Sequence, residues 1–182
     1  LAPTKKGSPV TITATSKTNP LLKDTCLVNV TVTLTGIELN NKSVTLKRGV
    51  MGQDTITLTA TPIPSDTTDN TAVKWTSSNN EIATVDENTG VVTSNKAGTV
   101  QITATSVANS SIKAICTVTV EVPLQSISLN KTNTEILIKQ SETLIVTYNP
   151  EDTSDNKGSK WTSSSDGIAT VDEDGKVTAL KE

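Results

Sequence analysis

The chain has 182 residues, room for one large domain or two small ones. Hydrophobic residues make up 34%, aromatics 2%, and Phe is absent, so any core is thin and built from Val, Ile, Leu and Ala. A net charge of −3 without a basic cluster argues against a nucleic-acid partner, and no apolar run reaches the ~18 residues a membrane-spanning helix needs.

Taken in chain order, strand signals dominate. "GSPVTITATS" is followed by "CLVNVTV", where Cys26, Val28, Val30 and Val32 share one face of an alternating run. "GIELN" leads into "DTITLTATP", which sets Ile56, Leu58 and Ala60 against threonines on the other face. Then come "VKWTSS", "EIATVD" and "GVVTS", short strands separated by the turn residues "NN", "ENTG" and "NKAG". "TVQITATS" alternates Val100, Ile102 and Ala104, and "CTVTVEV" alternates Cys116, Val118, Val120 and Val122. After "SISLN", the segment "SKWTSSSDGIATVDEDGKVTA" writes the Trp-containing stretch again. No segment holds a 3.6-residue period. Short alternating strands with frequent turns predict an antiparallel β-sandwich.

The repetition has a measurable period. "ITATS" at Ile12–Ser16 returns at Ile102–Ser106, 90 residues on, and Cys26 returns as Cys116 at the same offset. Asn40 returns as Asn130, and Trp75 returns as Trp161 after a small deletion near Arg48–Gln53. A repeat of this length suits an independently folding domain rather than a solenoid unit. Its phase divides the chain into three parts. Residues 1–34 match the last third of a repeat, residues 35–123 form one complete repeat, and residues 124–182 match the first two thirds of the next.

The stretch "VKWTSSNNEIATVDENTGVVTSNKAGTVQITATS" resembles the signature of the bacterial immunoglobulin-like domain, group 2. That signature has a Trp-Ser/Thr-Ser-Ser strand, Val/Ile-Ala-Thr-Val-Asp, a turn Gly, Val-Thr, a second Gly and Thr-Ile-Thr-Ala. The middle repeat matches throughout, the last up to its break and the first from its break onward. The resemblance implies an all-β chain of tandem immunoglobulin-like β-sandwich domains with Greek-key antiparallel sheets. Trp75 and Trp161 fall on the family's core position. Trp75, Trp161, Ile82, Val85, Ile102, Cys116 and Cys26 are the expected core residues, the two cysteines as buried free thiols. Domains of this family occur in tandem on bacterial surface adhesins, in phage tail and capsid-associated proteins, and beside catalytic modules of secreted polysaccharide-degrading enzymes. The implied setting is extracellular or at the bacterial cell surface. Fold alone does not fix function.

Candidate sites are few. Histidine is absent and the Ser-rich "WTSS" has no base partner, so no catalytic residue and no cofactor is expected. "PSDTTDN" carries Asp66 and Asp69, and "PEDTSDN" carries Asp152 and Asp155 beside Glu151. "VDEN" and "VDEDG" add Asp86, Glu87, Asp172, Glu173 and Asp174. Members of the resembled family have been proposed to bind calcium, which makes Asp66, Asp69, Asp152, Asp155, Asp172 and Asp174 weak metal candidates. The spacing is not that of an EF-hand, and Asp and Asn in turns commonly bond their own backbone instead. Glycan-binding sandwiches usually offer exposed aromatic platforms, and with both Trp residues assigned to cores only Tyr148 is left for that role.

The expected function is therefore that of a non-catalytic structural module, a spacer or stalk in adhesion. Two alternatives stand beside it. Complementary half-domains of neighbouring chains complete one sandwich and build a filament, or the chain is a ligand-binding module for a host protein or glycan. The expected partners are neighbouring immunoglobulin-like repeats in the same or another chain, a homopolymer, or a host-surface ligand.

Overall fold

The computed structural model describes residues 9–181, so Gly7 and Ser8 of the "GSPVTITATS" stretch lie outside the described residues. Every regular element among them is a β-strand. An N-terminal hairpin comes first, with β1 (Val10–Thr15) antiparallel to β2 (Lys23–Val28). Nine strands follow: β3 (Gly36–Leu39), β4 (Ser43–Lys47), β5 (Thr55–Thr57), β6 (Ala60–Ile63), β7 (Val73–Ser77), β8 (Ala83–Val85), β9 (Val91–Ser94), β10 (Gly98–Ser106) and β11 (Lys113–Glu121). The last five are β12 (Ser126–Leu129), β13 (Ser141–Thr143), β14 (Val146–Asn149), β15 (Ala169–Val171) and β16 (Lys176–Ala179).

The nine central strands make a sandwich. One layer has the order β4-β11-β10-β7, and the other consists of β3-β6 and β5-β9-β8. Alternation decides what lies between them. Val100, Ile102 and Ala104 of β10 and Cys116, Val118 and Val120 of β11 point inward and are at most 3% exposed. They meet Leu39, Leu58, Ala83 and Val92 from the facing layer, with Trp75 of β7 in the same cluster. Thr99 and Thr119 pair on the outer face, where their hydroxyls lie 3.5 Å apart. With so few aromatics the core relies on close packing of small branched side chains. Removing a large buried side chain from such a core costs about 2–5 kcal/mol.

One pairing departs from the antiparallel expectation. β4 lies parallel to β11, with Val44 opposite Val118 and Leu46 opposite Val120. The chain leaves β3 in one layer and reaches the edge of the other within residues 40–42, which sends β4 up beside β11 in the same direction. Asn40 holds this step. Its amide oxygen accepts from Thr59 N at 3.0 Å and its amide nitrogen donates to the Thr57 carbonyl at 3.2 Å. Asn130 does likewise for Ile145 N at 2.8 Å.

The C-terminal segment repeats only part of this plan. β12-β14 matches β3-β6, and β13-β16-β15 matches β5-β9-β8. Residues 133–137 and 159–163, the counterparts of β4 and β7, form no strand. Their central counterparts pair with β11 and β10, whereas among the described residues no strand pairs with these two segments. Two core expectations are corrected as a result. Trp161 is only half-buried, where Trp75 is 3% exposed. Cys26 is exposed, where Cys116 is buried, because among the described residues no second layer covers the β1–β2 hairpin.

Candidate functional site: two clamped junctions

The expected site residues divide by what their side chains do. Ile102 and Cys116 are fully buried, and Ile82 and Val85 pack against the core from its margin. Burial raises the Cys116 thiol above its ordinary range, which keeps it un-ionised and unreactive at neutral pH. Tyr148 is half-buried, and its hydroxyl lies 2.6 Å from Ser159 Oγ rather than standing clear as a sugar platform.

The carboxylates proposed for calcium do not converge. Among the described residues no group of three or more Asp, Glu, His or Cys side chains is placed to hold a metal ion. Asp172 accepts from Asp174 N at 3.1 Å and Lys176 N at 2.9 Å, closing its own turn. Asp86 does the same for Asn88 N at 3.0 Å, Thr89 N at 2.7 Å and the Thr89 hydroxyl at 2.8 Å. Those bonds from Thr89, then Asn88, with Lys74 as a lesser influence, hold the Asp86 carboxyl below the usual carboxylate range. The "ATVD" repetition thus serves turn closure. The serine of "WTSS" has a parallel role, since Ser77 Oγ donates to the Ala83 carbonyl at 2.7 Å and Ser163 Oγ to the Ala169 carbonyl at 2.6 Å.

Asp69 and Asp155 have a different task, which the sequence did not announce. The backbone amide of Leu34 donates to Asp69 Oδ2 at 2.7 Å, and that of Leu124 to Asp155 Oδ2 at 2.8 Å. Beside each bond sits a matching set. The Val32 carbonyl accepts from the Thr67 hydroxyl at 2.8 Å and Thr68 N at 2.7 Å, while Val32 N donates to Thr68 Oγ1 at 3.0 Å. The Val122 carbonyl accepts from the Thr153 hydroxyl at 2.7 Å and Ser154 N at 2.8 Å, while Val122 N donates to Ser154 Oγ at 2.9 Å. Each set ties the residues after a long strand, β2 or β11, to the Pro-x-Asp-Thr loop that follows roughly thirty residues later. Both loops begin at a cis X-Pro bond, Ile63–Pro64 and Asn149–Pro150.

Why this loop does the work follows from its composition. Thr, Ser and Asp are the residues whose short polar side chains reach nearby backbone groups. Here they satisfy backbone groups of a linker that has left its own ladder. A buried amide without such a partner is costly. Thr67 is 2% exposed, and Val122 is fully buried. The second junction carries one further tie. Arg48 lies in the loop after β4; it bonds the Asn95 carbonyl at 2.7 Å and pairs with Asp152 Oδ1 at 2.6 Å.

Two glycines complete the repeated geometry. Gly90 has φ +72° and Gly175 φ +78°. A Cβ on Gly90 would lie 2.5 Å from the Leu58 carbonyl oxygen and 2.8 Å from the Trp75 ring; on Gly175 it would lie 2.6 Å from the Leu144 oxygen and from the Trp161 ring. Both positions therefore need glycine on two independent grounds.

A family model described as bacterial Ig-like domain (group 2) matches residues 29–118 and again 123–182. The chain belongs to that family. Its two matches as a bacterial Ig-like chain meet at the second clamp. Curated relatives include an uncharacterized protein of Clostridium acetobutylicum, 37% identical over 128 residues, which covers 70% of this chain and 13% of that protein. A 3-O-alpha-D-galactosyl-alpha-L-arabinofuranosidase of Bifidobacterium longum subsp. longum is 48% identical over 91 residues, covering 50% of this chain and 7% of the enzyme. A lacto-N-biosidase of Bifidobacterium bifidum is 37% identical over 121 residues, covering 65% of this chain and 10% of the enzyme. The Ig-like chain thus spans a small fraction of each. Among solved structures, a C-terminal intimin fragment in complex with the translocated intimin receptor aligns at 22% identity and TM-score 0.36, covering 63% of this chain and 40% of that one. Surface layer protein SbsC, domains 1–6, aligns at 21% identity and TM-score 0.36, covering 98% and 29%. Neither likeness is close enough to transfer a partner. Among the described residues no helix is long and apolar enough to cross a membrane.

Proposed function

We propose that this chain is a non-catalytic spacer of a bacterial extracellular or cell-surface protein. It holds a neighbouring adhesive or enzymatic module at a set distance and orientation. Its units on this reading are residues 1–34, 35–123 and 124–182, the outer two being parts of Ig-like repeats. The observation that carries the proposal is the duplicated clamp. A chain that needed only flexible tethering would leave its linkers solvated, as Gly/Ser-rich linkers are. Here the same bonds recur at both junctions within about 0.1 Å of one another in their shortest members. The family membership and the small share of each glycosidase relative that this chain covers support the same reading.

The test is nitrogen-15 relaxation on the intact chain at low concentration. A spacer with fixed junctions gives one rotational correlation time for residues 35–123 and for residues 124–181. Independent tumbling of the two regions would remove the fixed-geometry reading. Saturable binding of a glycan, lost in Tyr148→Ala, would favour a ligand-binding module instead.

A further inference from the structure

β4 is a short edge of the central sandwich. It has five residues, and among the described residues its one ladder partner is β11. The ladder opens with Thr117 N donating to the Lys42 carbonyl at 3.0 Å and closes with Arg48 N donating to the Glu121 carbonyl at 2.9 Å. Beside that last rung the Lys47–Glu121 ion pair is 3.9 Å long and exposed, so it adds little. Strands held by so few bonds are where a sandwich opens first. Yet β4 carries core: Leu46 is buried in the central cluster, and Val44 packs against it.

Both strands of this parallel pair end at the second junction, and a single turn of the following segment holds both. Arg48, whose amide makes the last rung, pairs through its guanidinium with Asp152 Oδ1 at 2.6 Å. Val122, the residue after Glu121, is held by the next two residues of the same turn. Thr153 Oγ1 donates to its carbonyl at 2.7 Å, and Ser154 Oγ accepts from its amide at 2.9 Å. Arg48 is anchored in its own unit as well, because it donates to the Asn95 carbonyl at 2.7 Å, and Asn95 Nδ2 donates to the Asn80 carbonyl at 2.9 Å. The seam is tight: a Cβ on Gly49 would lie 3.0 Å from Gln125 Nε2. Eight residues past the matching asparagines, Asn40 and Asn130, the central unit has Arg48 and the C-terminal segment Ile138. Arg48 is thus particular to this junction.

We infer that residues 152–154 lock the β4–β11 pair. They fasten the ends of two neighbouring strands to one support, so β4 peels from β11 only when the junction parts. The coupling is reciprocal, since whatever steadies β4 also steadies the turn. The inference deepens the spacer reading and rests on its division into joined units. Residues 35–123 gain part of their stability from the segment that follows, as neighbours in a tandem array do.

The experiment compares amide hydrogen exchange in β4, Arg48 N included, with that in β7, the opposite edge of the same layer, in the intact chain. The variants change residues outside the central unit. Asp152→Asn keeps the side-chain shape and removes its charge, and Thr153→Val with Ser154→Ala removes the hydroxyls that hold Val122. β4 exchange should rise about two- to fivefold in the first and about tenfold in the second, with β7 unchanged. In an Arg48→Ala background Asp152→Asn should add nothing, because its partner is gone. Three outcomes overturn the lock: β4 exchange unchanged in both variants, an equal rise in β4 and β7, or an Asp152→Asn effect that persists without Arg48. One rotational correlation time with an insensitive β4 removes the lock and keeps the spacer, whereas independent tumbling of the two regions removes both.

Discussion

"VKWTSS" and "SKWTSS" are nearly the same six residues, yet the first lies in a strand with a buried Trp75 and the second in no strand with a half-exposed Trp161. Local propensity is almost identical. The difference is β10, which runs beside the first, whereas among the described residues no strand pairs with the second. A β-run becomes a strand when a distant part of the chain supplies its ladder, so propensity here reports fitness for a sheet rather than possession of one. The Trp–Gly contact survives in both places because it is built within the layer that both units keep.

The comparison can be broken most sharply at the tryptophans. Trp75→Ala should cost about 3–5 kcal/mol, enough to unfold much of the central unit, while Trp161→Ala in dilute chain should cost about 1 kcal/mol or less. Urea titration with segment-resolved hydrogen exchange reads the two separately. Equal losses would mean that the C-terminal segment is packed as well as the centre. The glycines come next. Gly90→Ala should cost about 2–4 kcal/mol, from a left-handed backbone and a clash with a carbonyl that cannot move aside. Gly175→Ala has the same geometry, but its damage should stay within residues 124–181 in the exchange pattern.

Removing Asp155 tests the junction rather than either unit. Asp155→Ala should cost about 1 kcal/mol, the usual worth of one such hydrogen bond. Its clearer effect is to loosen the two regions, read as a split in their rotational correlation times. Arg48→Ala should add less, since partly exposed ion pairs contribute about 0–1 kcal/mol.

The smallest effect is acidic. Asp86 titrates lower in the folded chain than in the unfolded one, so it contributes stability above the unfolded carboxylate range. That contribution is lost as pH falls through the folded value. Central-unit melting should be flat from neutral pH down to about pH 5 and fall below about pH 4. Asp86→Asn should flatten part of that fall. In the C-terminal segment Glu142 is likewise held low by Lys131 and then Thr134, and Glu142→Gln should act only on that segment's acid response.

Much of the fold was legible in the sequence because alternation is a local signal. β10 and β11 could be read residue by residue from "TVQITATS" and "CTVTVEV". The Trp, the "IATVD" run and the turn glycines carried the family. The clamp was not legible. A side chain that bonds a linker some thirty residues away leaves no period, and "PSDTTDN" looks the same whether it closes a turn, holds an ion or grips a neighbour. Only the identity of the gripped atoms, Leu34 N and Leu124 N, separates these readings. Cys26 was misplaced for a related reason. Its alternation marks an inward face, and burial depends on a layer that the hairpin does not carry.

The parallel pairing of β4 with β11 has a consequence under load. A pull on the chain enters the central unit ahead of β4 and leaves it after β11 at Glu121. Because the two strands run the same way, the two ends are drawn in opposite senses along a common axis. The bonds joining Ser43–Lys47 to Thr117–Glu121 must then slide and rupture together instead of opening one after another. A unit built this way resists tension in shear, the direction in which a hydrogen-bonded ladder is hardest to part.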